Sequence, residues 1–289
     1  MSKVQSQKSR ISVLFNGTID VSSTLDLGPW TLDFKHLSQF FLALALVLSG
    51  CTSRKSEEPP KATETPVATA PAAYEAVDIA GGGSISGVVR FAGTMPKLEK
   101  RAVTKSPDIC GHGYKPSEEV ILGESGALQN VVVHLEGIKR GKKLDTASQA
   151  VLDQLKCDYV PHVQSITAGS TLEIRNSDDL LHNVHGKLDG KATVFNLAMP
   201  LKDQRIPKQL AKPGVIVLQC DAAHTWMKGY VVVAENPYHA TTSGAGSFLL
   251  KDVPPGSYKL KAWHEKFGDL EQDVTVNSGA ETKITFEYK

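Results

Sequence analysis

The stretch Leu218 to Gly229 reads LQCDAAHTWMKG and sets Cys220, His224 and Met227 within eight residues, in a 289-residue chain that has only four cysteines and four methionines. A thiolate, an imidazole and a thioether, joined by a second imidazole, form the ligand set of a mononuclear copper centre. The soft sulfurs favour the cuprous ion, while imidazole accepts both oxidation states. The second imidazole must come from another strand, so that the scaffold fixes the geometry as the metal changes charge. LLHNVHG supplies it at His182, just after the strand-like STLEIRNS and the turn-forming Asp178 and Asp179. His182, Cys220, His224 and Met227 are therefore the candidate ligands of one copper ion, with zinc the alternative for a nitrogen and sulfur set. The competing reading is a buried structural Cys220 beside a surface His224, with Met227 and Trp226 packed on the core.

Cysteine count sharpens this. Cys51 belongs to a lipid-attachment signature described below, which leaves three cysteines in a compartment that permits disulfides. Cys110 in DICGHG and Cys157 in LKCDYVPH lie in loop-like surroundings without apolar alternation and are expected to pair. Cys220 is then a lone thiol, at risk of oxidation unless buried or ligated.

A strand ending in RNSD, the HNV of His182 to Val184, and a later strand leading into CDAAHTWM and GYVVVAENP resemble the cupredoxins, the plastocyanin and azurin superfamily. The resemblance runs over roughly residues 84–237. It implies a Greek-key β-sandwich with a mononuclear type 1 copper, Cys220, His182 and His224 equatorial, Met227 axial, and electrons entering through an exposed histidine edge. In that superfamily the Asn after the first His ties the two ligand loops together, which makes Asn183 a supporting residue. Plastocyanin-like loops usually have two residues between Cys and His and more than two before Met, whereas this loop is Cys-x3-His-x2-Met. The His-x2-Met ending is similar to the binuclear copper loop of cytochrome oxidase subunit II, but that site needs a second cysteine. A mononuclear centre fits better, with Met227 the least secure ligand. His185 lies three residues from His182 and in a strand points to the opposite face. It and His162 are read as structural or surface histidines, a secondary metal-binding or copper-entry role being the alternative.

The elements that must position these residues read as all-β. SISGVVRFAG, LQNVVVHLEGI, STLEIRNS, PGVIVLQC and GYVVVAENP are short runs rich in β-branched residues, bounded by Gly, Pro, Asn or Asp. Asp145 to Leu155 alone has helical spacing, at Ala150, Val151 and Leu155, and predicts a helix. From residue 236 the pattern changes. Gly246, Phe248, Val253, Pro254, Pro255, Gly256 and Tyr258 resemble the signature of the carboxypeptidase regulatory-like domain, a small transthyretin-like β-sandwich. Such a pairing is similar to bacterial proteins labelled plastocyanin-like or methylamine utilization, a label that implies a redox context without a substrate. The expected organisation is an N-terminal extension and signal over 1–51, a disordered tether over 52–83, a cupredoxin-like copper-binding domain over 84–235 and the regulatory-like sandwich over 236–289. With some 50 residues that last unit is small for an independent core and is expected to pack on the copper domain.

FFLALALVL at Phe40 to Leu48 is too short to span a bilayer and has the length of a signal-peptide core. Lys35 and His36 precede it and LSGC follows, which resembles the bacterial lipoprotein signal with Cys51 lipidated. Asp20, Asp26 and Asp33 precede the run, unlike the short positive region of such signals, and predict a translation start downstream of Met1. The Pro, Ala, Thr and Glu run after Cys51 cannot bury enough surface to order itself. Thr52 rather than Asp leans towards the outer membrane by analogy with lipoprotein sorting, facing the periplasm. A net charge of +1 argues against a nucleic-acid partner, and no catalytic constellation marks an enzyme. Three function classes remain: a blue-copper electron carrier with a redox partner protein, a copper-binding or delivery lipoprotein, and a structural or carbohydrate-binding surface protein with a vestigial site.

Overall fold

The computed structural model describes residues 74–147 and 150–289, so the signal segment, Cys51 and the tether up to residue 73 lie outside the described residues. The described chain is almost wholly β, with one four-residue helix, Pro107–Cys110. Its strands form two sandwiches, each around its own apolar cluster.

The first sandwich faces a four-stranded sheet against a five-stranded one. The smaller sheet runs in the order Gln204–Gln209, Thr171–Asn176, Ala150–Leu155, Asp158–Val160; the larger runs Ala192–Met199, His182–Leu188, Gly214–Gln219, Lys228–Ala234, Val163–Thr167. Their inward residues, among them Leu152, Leu172, Ile174, Val184, Ile216, Leu218 and Val231, fill the core. Ala150–Leu155 is a strand where the sequence predicts a helix. Leu152 and Gln154 point inward, and the segment pairs in parallel with Thr171–Asn176. Three apolar residues at helical spacing are equally compatible with a strand once a partner edge is present.

The second sandwich corrects the expected domain boundary. Its sheets are His239–Thr241, Val132–Glu136, Gly256–His264, Gly268–Val276 and Ser247–Val253, Gly83–Phe91, Glu281–Tyr288. Two of these strands, Gly83–Phe91 and Val132–Glu136, come from the region assigned to the copper domain. The residues after 236 cannot close a core by themselves, and these strands supply Ile85, Val89, Val133 and Leu135 to it. The metal-site sandwich is thus inserted between strands of the other. Paired strand also begins earlier than residue 84, because Glu75–Ala76 pairs with Arg140–Gly141.

Val132, Val163 and Val232 form a small apolar seam between the sandwiches, flanked by Tyr230 and Trp263. Beside it His239 bridges Ser165 Oγ (2.8 Å) and Thr167 Oγ1 (3.1 Å). Burial lowers His239 and His264 from 6.5 to about 4, so both fold neutral. The unfolded chain binds these protons more readily, so the stability is present above pH 6.5 and lost as pH falls towards 4. Each histidine is expected to cost about 2 kcal/mol by pH 5, at ~1.4 kcal/mol per pKa unit. Urea midpoints of wild type and His264→Gln at pH 7.5 and 5 check this. The variant should lose less on acidification, and equal losses would remove His264 from the account.

Candidate metal centre

Three strand ends meet at one end of the first sandwich. His182 opens His182–Leu188, whose alternation turns His182, Val184 and Leu188 inward. Gly186, on the same face, lies under Phe195, where an added Cβ would come within 2.4 Å of the ring. Cys220 follows Gly214–Gln219 in phase with Ile216 and Leu218, so its thiol also points into the core. Gln219 pairs with Lys228, so residues 220–227 form a closed loop between neighbouring strands. The pairing of His185 with Gln219 brings the His182 strand alongside that loop.

One donor atom each from His182, Cys220 and His224 lie within 4.8 Å of one another, and all three residues are buried. His224 Nδ1 is 3.6 Å from Cys220 Sγ, and the imidazole centroids are 4.8 Å apart. Metal bonds of about 2.0 Å to nitrogen and 2.3 Å to sulfur, opened by roughly 110–120°, would separate a nitrogen from a sulfur donor by about 3.5–3.7 Å. The spacing fits a shared ion. His182 gives Nε2–H to Asp178 Oδ2 at 2.8 Å, while its Nδ1 is buried without a hydrogen-bond partner. A bare imidazole nitrogen beside a buried thiol is costly unless something binds there.

The surroundings hold the donors ready. Burial would raise the Cys220 thiol, but the neighbouring His182 imidazole and the Asn183 and Ala222 amides outweigh it and hold it below its ordinary value. The Asn183 N–H reaches Sγ at 3.4 Å. The Asn183 side chain accepts the Asp221 N–H at 3.2 Å and donates to Asn196 at 2.6 Å, so it ties the Cys220 loop to two other strands. Burial, with His182 and Lys105 nearby, lowers His224 to about 4 and keeps it neutral, as a ligand must be. Met227 is fully buried in the same cluster, and its N–H closes the turn onto His224 O at 2.9 Å.

Cys110 and Cys157 are joined as a disulfide. It pins a cap, formed by the hairpin Arg101–Ala102 with Tyr114–Lys115 and the helix Pro107–Cys110, over this end of the sandwich. Val103 and Ile109 pack on the core, and Lys105 Nζ donates to Ala222 O of the metal loop at 3.1 Å. His224 is consequently 0% exposed, which corrects the expectation of an exposed histidine edge. His162 and His185 are engaged elsewhere. His162 contacts Glu265 and Lys228 O, while His185 contacts Asp221 (2.7 Å) and Thr193 (2.8 Å). Both ring nitrogens of each are thus in hydrogen-bond contact with other groups of the chain. The sequence reading missed Asp178, taken only as a turn residue, although its four-residue spacing to His182 was there to be seen.

Residues 220–289 match the family model of the carboxypeptidase regulatory-like domain. No curated protein matches the chain. Among solved structures, a purple cupredoxin from Nitrosopumilus maritimus aligns at 24% identity over 29% of this chain and 99% of its own, with a TM-score of 0.26. A mutant of amicyanin in the Cu(I) form aligns at 26% identity over 30% of this chain and 82% of its own, with a TM-score of 0.27. The copper-containing nitrite reductase of Thermus scotoductus SA-01 aligns at 21% identity over 30% of this chain and only 22% of the reductase, with a TM-score of 0.27. The chain is thus a pair of β-sandwiches that matches the carboxypeptidase regulatory-like family model over residues 220–289 and is similar over about 30% of its length to cupredoxins.

Proposed function

We propose that this chain is an envelope copper protein that carries one electron at a time through a mononuclear type 1 site. The observation that carries this reading is the convergence of His182, Cys220 and His224, all buried, with His182 Nδ1 left bare. These three residues would hold the ion, with the Met227 thioether as a fourth donor, and bound copper would supply a reversible one-electron couple. The chain contributes a rigid frame. Donors fixed on strand ends of a packed sandwich resist rearrangement on electron transfer, the Asn183 amide stabilises charge on Cys220 Sγ, and the cap excludes water.

Attachment to the membrane through a lipid on Cys51, a periplasm-facing location at the outer membrane and a redox partner protein complete the proposal. They rest on the signal-like segment and the tether composition. Among the described residues no helix is long and apolar enough to cross a membrane. The burial of His224 favours a second reading, a copper-holding or delivery lipoprotein without electron transfer, because no imidazole edge is offered to a partner.

Titration of the purified chain with Cu(II), run to equilibrium, tests the site. One equivalent is expected to give an intense thiolate-to-copper band near about 600 nm, the colour of this ligand set. Cys220→Ser should abolish it. A colourless product, or colour that survives the substitution, would sink the reading. Reversible one-electron voltammetry of the coloured form supports the carrier, and irreversible release of copper on reduction supports the delivery reading.

A further inference from the structure

The turn between Ala150–Leu155 and Asp158–Val160 is two residues long, and both of them, Lys156 and Cys157, sit at positive φ (52° and 57°). Glycine or asparagine is the ordinary occupant of such positions, and a lysine followed by a cysteine there is strained. The strain has a visible product. The Lys156 and Cys157 amides point together at the Asp178 carboxylate, at 2.7 Å to Oδ1 and 2.8 Å to Oδ2. Asp178 Oδ2 in turn takes the Nε2–H of His182. Cys157 is fixed from two further directions, by the disulfide to Cys110 and by Trp226 Nε1, which donates to its carbonyl at 3.0 Å. One residue therefore touches the arms of both imidazoles: its amide reaches His182 through Asp178, and its sulfur lies within 4.8 Å of a ring nitrogen of His224.

We infer that Asp178, held by the disulfide-pinned Lys156–Cys157 turn, is the positioning residue of this centre: it fixes His182 in the tautomer whose bare Nδ1 faces Cys220. A carboxylate can only accept, so the proton of a neutral His182 is confined to Nε2 and the lone pair to Nδ1. The two turn amides and the His182 N–H satisfy the carboxylate, so it stays buried and charged. This rests on the proposed copper site, but it concerns the chain's own residues and can be read in the metal-free protein.

The test is ring-nitrogen NMR of the 15N-labelled, metal-free chain at pH 7.5, paired with Cu(II) affinity measured against a competing chelator. Wild type should show His182 as the Nε2–H tautomer alone. Asp178→Ala should mix the tautomers and weaken Cu(II) binding about 10–100-fold, the usual effect of losing an outer partner of a ligand histidine. Cys110→Ala, which frees the turn, should move both readouts in the same direction. Asp178→Asn serves if the alanine variant does not fold. Because Oδ2 alone accepts both the Cys157 N–H and the His182 N–H, the asparagine amide can keep those two contacts and is the milder variant, so Asp178→Leu, which fills similar space with no acceptor, is measured beside it and should show the Nδ1–H form. An unchanged tautomer in the Asp178 variants that lack an acceptor, alanine and leucine, overturns the proposal even if they melt earlier, and unchanged readouts in Cys110→Ala overturn the role of the disulfide. A wild-type chain that shows the expected tautomer and takes no copper would end the copper reading and leave the positioning intact.

Discussion

Replacing Cys110 with alanine is expected to lower the free energy of unfolding by about 4 kcal/mol, the loop-closure entropy that a crosslink across a separation of 47 residues removes from the unfolded chain. In urea the midpoint should fall by roughly 1.5–2 M, with a slope no smaller than that of the wild type because the uncrosslinked chain exposes at least as much surface on unfolding. The cap has other anchors. Lys115 pairs with Asp158 at 2.7 Å, Arg101 pairs with the same carboxylate, and Lys105 reaches the metal loop. Their side chains are only 11–21% exposed, so desolvation offsets much of each pair's attraction and its net contribution stays on the order of 1 kcal/mol. The disulfide should therefore dominate. A loss below about 1 kcal/mol would mean that the apolar contacts of Val103 and Ile109 hold the cap by themselves.

What the sequence made legible follows the range of the interactions. Cys220, His224 and Met227 declare themselves because a loop between neighbouring strands concentrates unlike donors. His182 is found because a strand must end beside that loop. Asn183 is legible by resemblance, and its side chain does join the loops. The domain boundary was hidden for the opposite reason. Gly83–Phe91 pairs in parallel with Glu281–Tyr288 across nearly all of the described residues, and nothing in SISGVVRFAG names its partner. The helix expected at 145–155 failed likewise, since its strand identity is conferred by Thr171–Asn176. The cap over His224 has no periodic signature at all. It is held by one disulfide and a few buried side chains, so the burial of the histidine edge could be learned only from the assembled fold.

Asn176 controls the geometry of the centre without touching it. Fully buried, it donates from Nδ2 to the carbonyls of Leu180 (2.9 Å), Met199 (3.0 Å) and Leu201 (3.3 Å), and its Oδ1 accepts the Asp178 N–H at 3.1 Å. Leu180 lies two residues before His182, and Met199 is the register partner of His182. One side chain thus joins the loop that carries Asp178 and His182 to the strand beside it. Asn176→Ala leaves up to three carbonyls and one amide unsatisfied, at about 1 kcal/mol each or somewhat less where water enters, so a loss of roughly 3 kcal/mol is expected. Asn176→Asp should be worse than alanine, because it sets a buried carboxylate against three carbonyl oxygens and keeps only the acceptor to Asp178. Urea unfolding of the two variants decides the matter by their order. If aspartate is tolerated better than alanine, the Nδ2 contacts are not what holds the loops together. If the order is as expected, copper affinity should fall with stability, since His182 and Asp178 then lose their common anchor.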